Sequence, residues 1–477
     1  MVPRMAFSGV GNKLWMALVA VLSVFLVVVL LQRAGVIGGP SVDHAVSDAV
    51  AGVTGRNQPT LLPNKKNLKA YLEKDDPSVK TTDIGPNRFD IIDIHEHAQT
   101  MVEAERLLAA MDRFGVKRTC LQSATIYTFT LNNQYGFEQF KENNEVLLEI
   151  KKRWPDRFCA FVTFDPADPA HLDLVKDAVA RGADGVKLYI GHGAATGKGP
   201  FHVMPIDDAR LAPFWAYAEE TQLPVLMHVN LIKYWDETIS LLERHPYLRL
   251  CLPHFGLHKN TEARLNRLGW IFDRYPNTFT DVSYGYYTFQ VEGFESLGKW
   301  RTRSQDYIKR YADRIMFASD MVLEPTKDVP YIDDTLRSYR QFHELEKFRL
   351  FLVPKATMRG LALDDDTLKK MYETSGKRYL LLDEQGLTPN RVANPNVQAP
   401  RPPMPPLDKN TIPHDSQYVP RAVGEVFASA ETLAALNGKR QTPEKASSTE
   451  GGGGEGPEHG DHVFPCGDHH EPDEPTE

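Results

Sequence analysis

Cysteine is scarce in this chain. There are four in 477 residues, Cys120, Cys159, Cys251 and Cys466, and no two form a Cys-x-x-Cys pair. That excludes a disulfide framework. The first three each sit inside an apolar, strand-like run and are expected as small buried core residues. An excess of basic charge is missing as well. Lys and Arg number 55 against 63 Asp and Glu, a net charge of −8, so no nucleic acid or other polyanionic partner is indicated. Nine of the acids fall between Glu450 and Glu477, a stretch without Lys or Arg; without them the chain is close to neutral. A phosphate loop is also absent. No Gly-rich turn follows the first strand-like run, and "GHGAATGKG", 191–199, lacks the Gly-Lys-Ser/Thr ending. It reads as a flexible stretch able to serve as a lid.

What is present begins with one long apolar run. Leu14 to Leu31 is 18 residues with Ser23 as its one clearly polar member, just enough to span a bilayer core as a helix. Arg4 and Lys13 precede it and Arg33 follows, which keeps the N-terminus cytoplasmic and sends the body across. The expectation is a single-pass membrane anchor with an extracytoplasmic catalytic domain, periplasmic if the source is bacterial. The alternative is a cleaved signal peptide, but no small-x-small site follows soon after Leu31.

Residues 34–87 read as a linker with little periodicity. Residues 88–385 alternate short β-branched and aromatic runs with amphipathic runs of helical length. Eight strand candidates appear: "FDIIDIH", "RTCLQSA", "FCAFVTF", "DGVKLYI", "PVLMHVN", "LRLCLPHF", "TFTDVS" and "IMFASD". A helix candidate follows each, among them "MVEAERLLAAMDRFG", "EQFKENNEVLLEIKKRW" and "AHLDLVKDAVARG". Eight such units predict an α/β fold, a (β/α)₈ TIM barrel. A doubly wound open sheet is the rival. From residue 386 the chain turns Pro-rich, then Gly-rich, then acidic, and is expected to be mostly disordered, with one short helix at "SAETLAALNGKR".

In a (β/α)₈ barrel the chemistry lies where strands end. The first strand candidate ends in His95 and His97, the fourth carries Lys187, and the fifth ends in His228. The sixth ends in His254 and the eighth in Asp320. Alternate residues share a face, so His95 and His97 can address one ion. Taken singly, His228 or His254 would ordinarily be a core or surface histidine, Asp320 a helix cap and Lys187 an ion-pair partner. Several strand ends placing such residues at one rim argue for a metal site instead. Three imidazoles and a carboxylate suit Zn²⁺, with Mn²⁺ or Fe²⁺ as alternatives. Such an ion brings the pKa of water from about 15.7 towards about 7. Asp320 can accept the water's proton. His254 need not bind metal; it can polarise the substrate or shuttle a proton.

The ordered set "DIHEH", "GVKLY", "VLMHVN", "LPHFG" and "FASDM" resembles the amidohydrolase superfamily, specifically its amidohydrolase-related branch, amidohydrolase family 2. The resemblance spans residues 88–385, and "NTFTDVS" is similar to the family's seventh strand. It implies that His95, His97, His228 and Asp320 hold the metal and that His254 activates water or substrate. Where the family closes with a Gly-Asn-Ala segment, this chain reads "YETSGKRYLLL". The resemblance leaves Lys187 two roles: a carboxylated bridge to a second metal, or a residue facing the substrate beside a single ion. One ion is expected.

The loops that would surround a substrate carry Tyr127, Phe129, Tyr189, His192, His258, Lys259, Tyr284, Tyr286 and Tyr287. Lys187, Tyr189, His258 and Tyr284 are the expected substrate contacts, and together they suit a flat or anionic small molecule. The tail residues His459, His462, Cys466, His469 and His470 form a tract able to bind metal weakly. The leading expectation is hydrolysis of an ester, lactone or amide through metal-activated water, with Asp320, His254 and Lys187 catalytic. The alternative is a non-oxidative decarboxylase of an aromatic or unsaturated acid. The second alternative is a tethered, non-catalytic binding protein. A homo-oligomer is compatible with all three.

Overall fold

The strands of a parallel barrel are covered on both faces, and the run at residues 89–95 is the first of them. β1, Ile91–Glu96, is buried along its whole length. The computed structural model describes residues 76–124, 138–191, 204–257, 259, 261–285, 287–354, 356–382 and 401–414. Thr100 ends the strand-to-helix turn by capping α1, Met101–Phe114. Its side chain accepts from the Glu103 N–H, while Glu103 Oε2 accepts the Thr100 N–H at 2.9 Å. This Thr-x-x-Glu box satisfies two donors at the helix start and fixes where the chain leaves the barrel rim.

The alternation continues through β2 (Val116–Gln122), α2 (Phe140–Arg153), β3 (Phe158–Val162), α3 (His171–Ala180) and β4 (Gly185–Gly191). Next come α4 (Ala212–Glu220), β5 (Val225–Val229), α5 (Trp235–Arg244), β6 (Leu250–Leu252), α6 (Glu262–Arg274) and β7 (Thr278–Asp281). Two helices, α7 (Tyr287–Lys299) and α8 (Arg301–Arg310), precede β8 (Ile315–Met316), and α9 (Val329–Glu344) follows it. The strands are parallel and ordered β1 to β8 in sequence. The ends of the sheet meet: the Ile94 N–H donates to Phe317 O at 3.0 Å and the Asp320 N–H to His95 O at 2.7 Å. The expected barrel is present and the open doubly wound sheet is excluded.

The barrel interior is filled by Ile92, Ile94, Cys120, Cys159, Phe161, Leu226, Cys251, Phe279 and Met316. Cys120, Cys159 and Cys251 are buried free thiols, as expected. Gly185 of β4 leaves room for Phe161, whose ring a Cβ there would meet at 2.3 Å. Beneath the barrel lie α10 (Asp365–Lys369), a π-helical turn at Lys370–Thr374, and α11 (Ser375–Leu380). The segment "YETSGKRYLLL" thus closes the bottom of the barrel. Tyr379 and Leu380 join the core cluster, and Gly376 packs against Ile92.

This barrel belongs to a compact unit comprising Ala70–Leu323 and Val329–Glu477. Glu324–Asp328 falls in a second unit, where the Lys327 N–H donates to Glu324 O at 3.0 Å. The apolar run at 14–31 and the tract at 459–470 lie outside the described residues. Among those described, no helix is long and apolar enough to cross a membrane. One part of the tail expected to be mostly disordered departs from that expectation. Residues 401–414 lie against α4, α6 and the turn before β6. Tyr247 Oη donates to Pro402 O, and Arg274 Nη2 donates to Pro405 O at 2.8 Å. Trp270 Nε1 donates to Thr411 Oγ1 at 3.1 Å. Proline offers a carbonyl but no N–H, so a Pro-rich segment is held by donors on the surface it crosses.

Histidine 343 on α9 carries a pH prediction. It is fully buried among Phe317, Tyr339, Phe342 and Tyr372, and burial pushes its pKa down to about 3. An unfolded histidine titrates near 6.5. Below that pH the unfolded chain takes up a proton that the folded chain refuses, so this contribution is whole above about 6.5 and is lost as pH falls. By pH 5 wild type should lose about 2 kcal/mol more stability than His343→Leu, each referred to its own value at pH 7. Urea midpoints at the two pH values check this; equal losses would refute it.

Candidate metal centre

Barrel closure brings the ends of β1, β4, β6, β7 and β8 to one place. His95 is wholly buried, and its Nδ1 lies 3.1 Å from Asp281 Oδ2. Burial works against ionising Asp281, but hydrogen bonds and charge from His95, with His254 and Ser283, hold it below the ordinary carboxylate range. An ionised carboxylate only accepts, so His95 Nδ1 carries the proton and its Nε2 lone pair points inward. His254 Nδ1 faces Ser283 O at 2.8 Å, and the same reasoning turns its Nε2 lone pair inward.

Those lone pairs look at Asp320. His95 Nε2 stands 3.5 Å and His97 Nε2 3.4 Å from Asp320 Oδ1; His254 Nε2 stands 3.4 Å from Asp320 Oδ2. Single ligand atoms of His95, His254 and Asp320 all lie within 4.8 Å of one another. Burial, the largest cause in each case, lowers the imidazole pKa values to about 3 for His95, about 4 for His254 and well below the usual value for His97. The rings are therefore neutral at pH 7. Lone pairs aimed at a carboxylate repel unless a cation lies between them. Two ligands of one ion at about 2.1 Å stand roughly 3.4 Å apart in a tetrahedral shell. The residues present fit a divalent metal.

Lys187 Nζ lies 2.8 Å from His95 Nε2, inside the same cluster, and the residue is almost wholly buried. Burial pushes its pKa down to about 8 against the pull of Asp320 and Asp281. The expected ligands are thus placed unequally. His95, His97 and Asp320 converge. His228 is half-buried, with its ring 5.0 Å from that of His254. His254, expected to work beyond the metal shell, lies at ligand distance from Asp320.

Of the expected substrate contacts, Tyr189 is buried, its hydroxyl donating to Ser123 O at 2.8 Å and its ring 5.1 Å from Lys187 Nζ. Tyr284 is buried against Tyr339 at 5.9 Å, with Lys259 Nζ 5.5 Å from its ring. His258, Tyr127, Phe129, His192, Tyr286 and the Tyr287 side chain lie outside what is described. Left-handed backbone gathers at this rim: His254, Phe255 and Leu257 after β6, and Asp320 and Val322 after β8, all have positive φ. Non-glycine residues hold such angles only where surroundings enforce them, often at functional sites. Gly285 (φ +74°) approaches so closely that a Cβ would sit 3.1 Å from Asp320 Oδ2.

Sequence reasoning missed the groups that hold this cluster. Asp281 also accepts the His254 N–H at 3.0 Å and the Ser283 hydroxyl at 2.6 Å. Glu96 accepts the His97 N–H at 2.7 Å, and the Ser319 hydroxyl and Met321 N–H, each at 2.8 Å, tying β1 to the chain after β8. Asp93 accepts from the His95 N–H at 3.1 Å and lies 2.5 Å from the Ser319 hydroxyl oxygen. The available signal was a carboxylate inside an apolar strand, which burial forbids unless it is bonded. Because Asp281 fixes the His95 tautomer, Asp281→Asn should weaken metal affinity about 10- to 100-fold. Chelator competition measures it, and wild-type affinity would reduce Asp281 to a brace.

A family model described as amidohydrolase matches residues 92–375. Among solved structures, a probable 2-pyrone-4,6-dicarboxylic acid hydrolase from Acinetobacter baumannii is 13% identical, over 62% of this chain and 100% of that one, with a TM-score of 0.43. A 4-oxalomesaconate hydratase from Rhodopseudomonas palustris is 15% identical over 61% and 95%, with a TM-score of 0.40. A 5-carboxyvanillate decarboxylase from Sphingomonas paucimobilis is 14% identical over 62% and 100%, with a TM-score of 0.38. The chemistries in those names are those proteins' own. No curated protein sequence matches the chain significantly.

Proposed function

The chain belongs to the amidohydrolase family, and on that footing we propose that it acts on a small molecule at the barrel mouth, with one divalent ion held by His95, His97, His228 and Asp320. The observation that carries this reading is the convergence of the Nε2 atoms of His95, His97 and His254 on Asp320 at 3.4–3.5 Å. A divalent ion there would supply Lewis-acid polarisation of a substrate oxygen or of water. Zn²⁺ suits the donor set, as do Mn²⁺ and Fe²⁺.

Two reactions use these residues. Decarboxylation is favoured by the cations. Lys187 Nζ lies inside the cluster, 2.8 Å from His95 Nε2, and Lys259 sits farther out over Tyr284. Both suit a substrate carboxylate. The C–C bond to that carboxylate breaks, CO₂ leaves, and the carbon takes a proton delivered by Lys187 or through His254. Hydrolysis is favoured by a different observation, the 3.4 Å approach of His254 Nε2 to Asp320 Oδ2. There Asp320 accepts the proton of the attacking water and His254 passes it to the leaving group.

The test uses the purified full chain loaded separately with Zn²⁺ and Mn²⁺. Aromatic and unsaturated acids are followed by CO₂ release; esters, lactones and amides by acid release. CO₂ release alone selects decarboxylation, and acid release alone selects hydrolysis. A metal-loaded chain inert to both panels would favour the tethered binding protein. The apolar run 14–31, preceded by Arg4 and Lys13, supports a membrane tether with the barrel outside the cytoplasm. Release of the chain from membranes by an alkaline wash would sink that part.

A further inference from the structure

The end of the barrel away from the metal centre carries a second concentration of charge. Arg249 lies just before β6, whereas His254 lies just after it, so the two mark opposite ends of one strand. Beneath Arg249 runs α11. A cavity of ≈ 440 Å³ opens between them, lined by Arg249, Thr374, Lys377, Arg378, Leu381 and Leu382. Three of these six are cations and none is an acid.

The cations are set in place by the fold. The Arg249 side chain is buried; its Nη1 donates to Arg378 O at 2.7 Å and its Nη2 to Gln222 Oε1 at 3.3 Å, both neutral acceptors. Arg378 Nη1 donates to Asp313 Oδ2 at 2.9 Å and its Nη2 to Pro276 O at 3.1 Å. Lys377 Nζ donates to Glu373 Oε1 at 2.6 Å. Arg314 joins the group: its pKa is lowered by burial and then by the charge of Arg378. Among the described residues Asp313 and Glu373 accept from these cations and Asp273 acts on Arg314, and none of these three acids lines the cavity. Basic residues in a last helical turn also answer the helix dipole. Arg249 comes from a different part of the barrel, and dipole compensation requires no cavity.

We propose that this cavity is a binding site for a small organic anion with a phosphoryl or carboxylate head group. Guanidinium groups recognise such heads through paired hydrogen bonds. The volume exceeds that of a bare inorganic ion and lies in the range of small-molecule sites, while Leu381 and Leu382 supply an apolar wall for the rest of the ligand. The head group could come from a soluble metabolite or from an anionic lipid.

The test is calorimetric titration of the full chain, at constant ionic strength, with glycerol 3-phosphate, with succinate, and with phosphatidylglycerol vesicles against phosphatidylcholine vesicles. Saturable binding is expected, weakened at least tenfold in Lys377→Gln/Arg378→Gln, whose side chains are partly exposed and replaceable without loss of the fold. Arg249→Gln should abolish binding where it folds. Binding of the soluble probes identifies a metabolite site, and binding confined to phosphatidylglycerol identifies a lipid head group. No saturable binding of any probe, or wild-type affinity in the double variant, overturns the proposal.

Discussion

Asp320→Asn should purify folded and nearly free of metal, with turnover reduced about 10²- to 10⁴-fold, the range for losing a positioned proton acceptor. The reason is electrostatic. Asp320 is the carboxylate that His95, His97 and His254 all face. With its charge gone, three neutral imidazoles remain, and none compensates a divalent cation. Asparagine is the right probe because Asp320 has φ 45°, and asparagine tolerates the left-handed region better than alanine does. The bond from the residue 320 N–H to His95 O also survives the change. Elemental analysis beside His228→Ala provides the control. Full metal content in both variants would place the ion elsewhere and end the assignment.

That both residues are legible in the sequence follows from how parallel barrels are built. A strand buried on both faces leaves no place for an unpaired polar group. A histidine or aspartate at the end of an apolar run therefore stands out, as His95, His97, His228, His254 and Asp320 do. Asp93 and Asp281 break the same rule from within a strand, yet their meaning depends on partners that only closure supplies. Asp281 serves His95 across 186 positions and Asp93 serves Ser319 across 226. The eighth strand shows another limit. "IMFASD" reads as one extended run, but the ladder covers only Ile315–Met316 because the chain then turns to deliver the Asp320 N–H to His95 O. Composition is silent on the placement of residues 401–414 for a related reason. Proline content argues for disorder, whereas the donors that seat the segment, Tyr247, Trp270 and Arg274, come from another part of the chain.

The opposite end of the barrel should fail in a different way. Tyr379 is fully buried under the strands, 6.3 Å from Phe161 and 5.3 Å from Phe279 between ring centres. Tyr379→Ala empties that space and should cost about 3–5 kcal/mol. Tyr379→Phe should change stability by no more than about 1 kcal/mol, because the hydroxyl has no hydrogen-bond partner among the described residues and its removal leaves nothing stranded. Denaturant midpoints measure both. Metal content of the folded Tyr379→Ala protein should stay at the wild-type level, since the ring lies on the face that supports the barrel and not on the face that carries its chemistry. Metal loss in Tyr379→Ala matching that in Asp320→Asn would show that the two ends are coupled. A Phe variant as damaged as the Ala variant would show that the hydroxyl, not the ring, holds the plug in place.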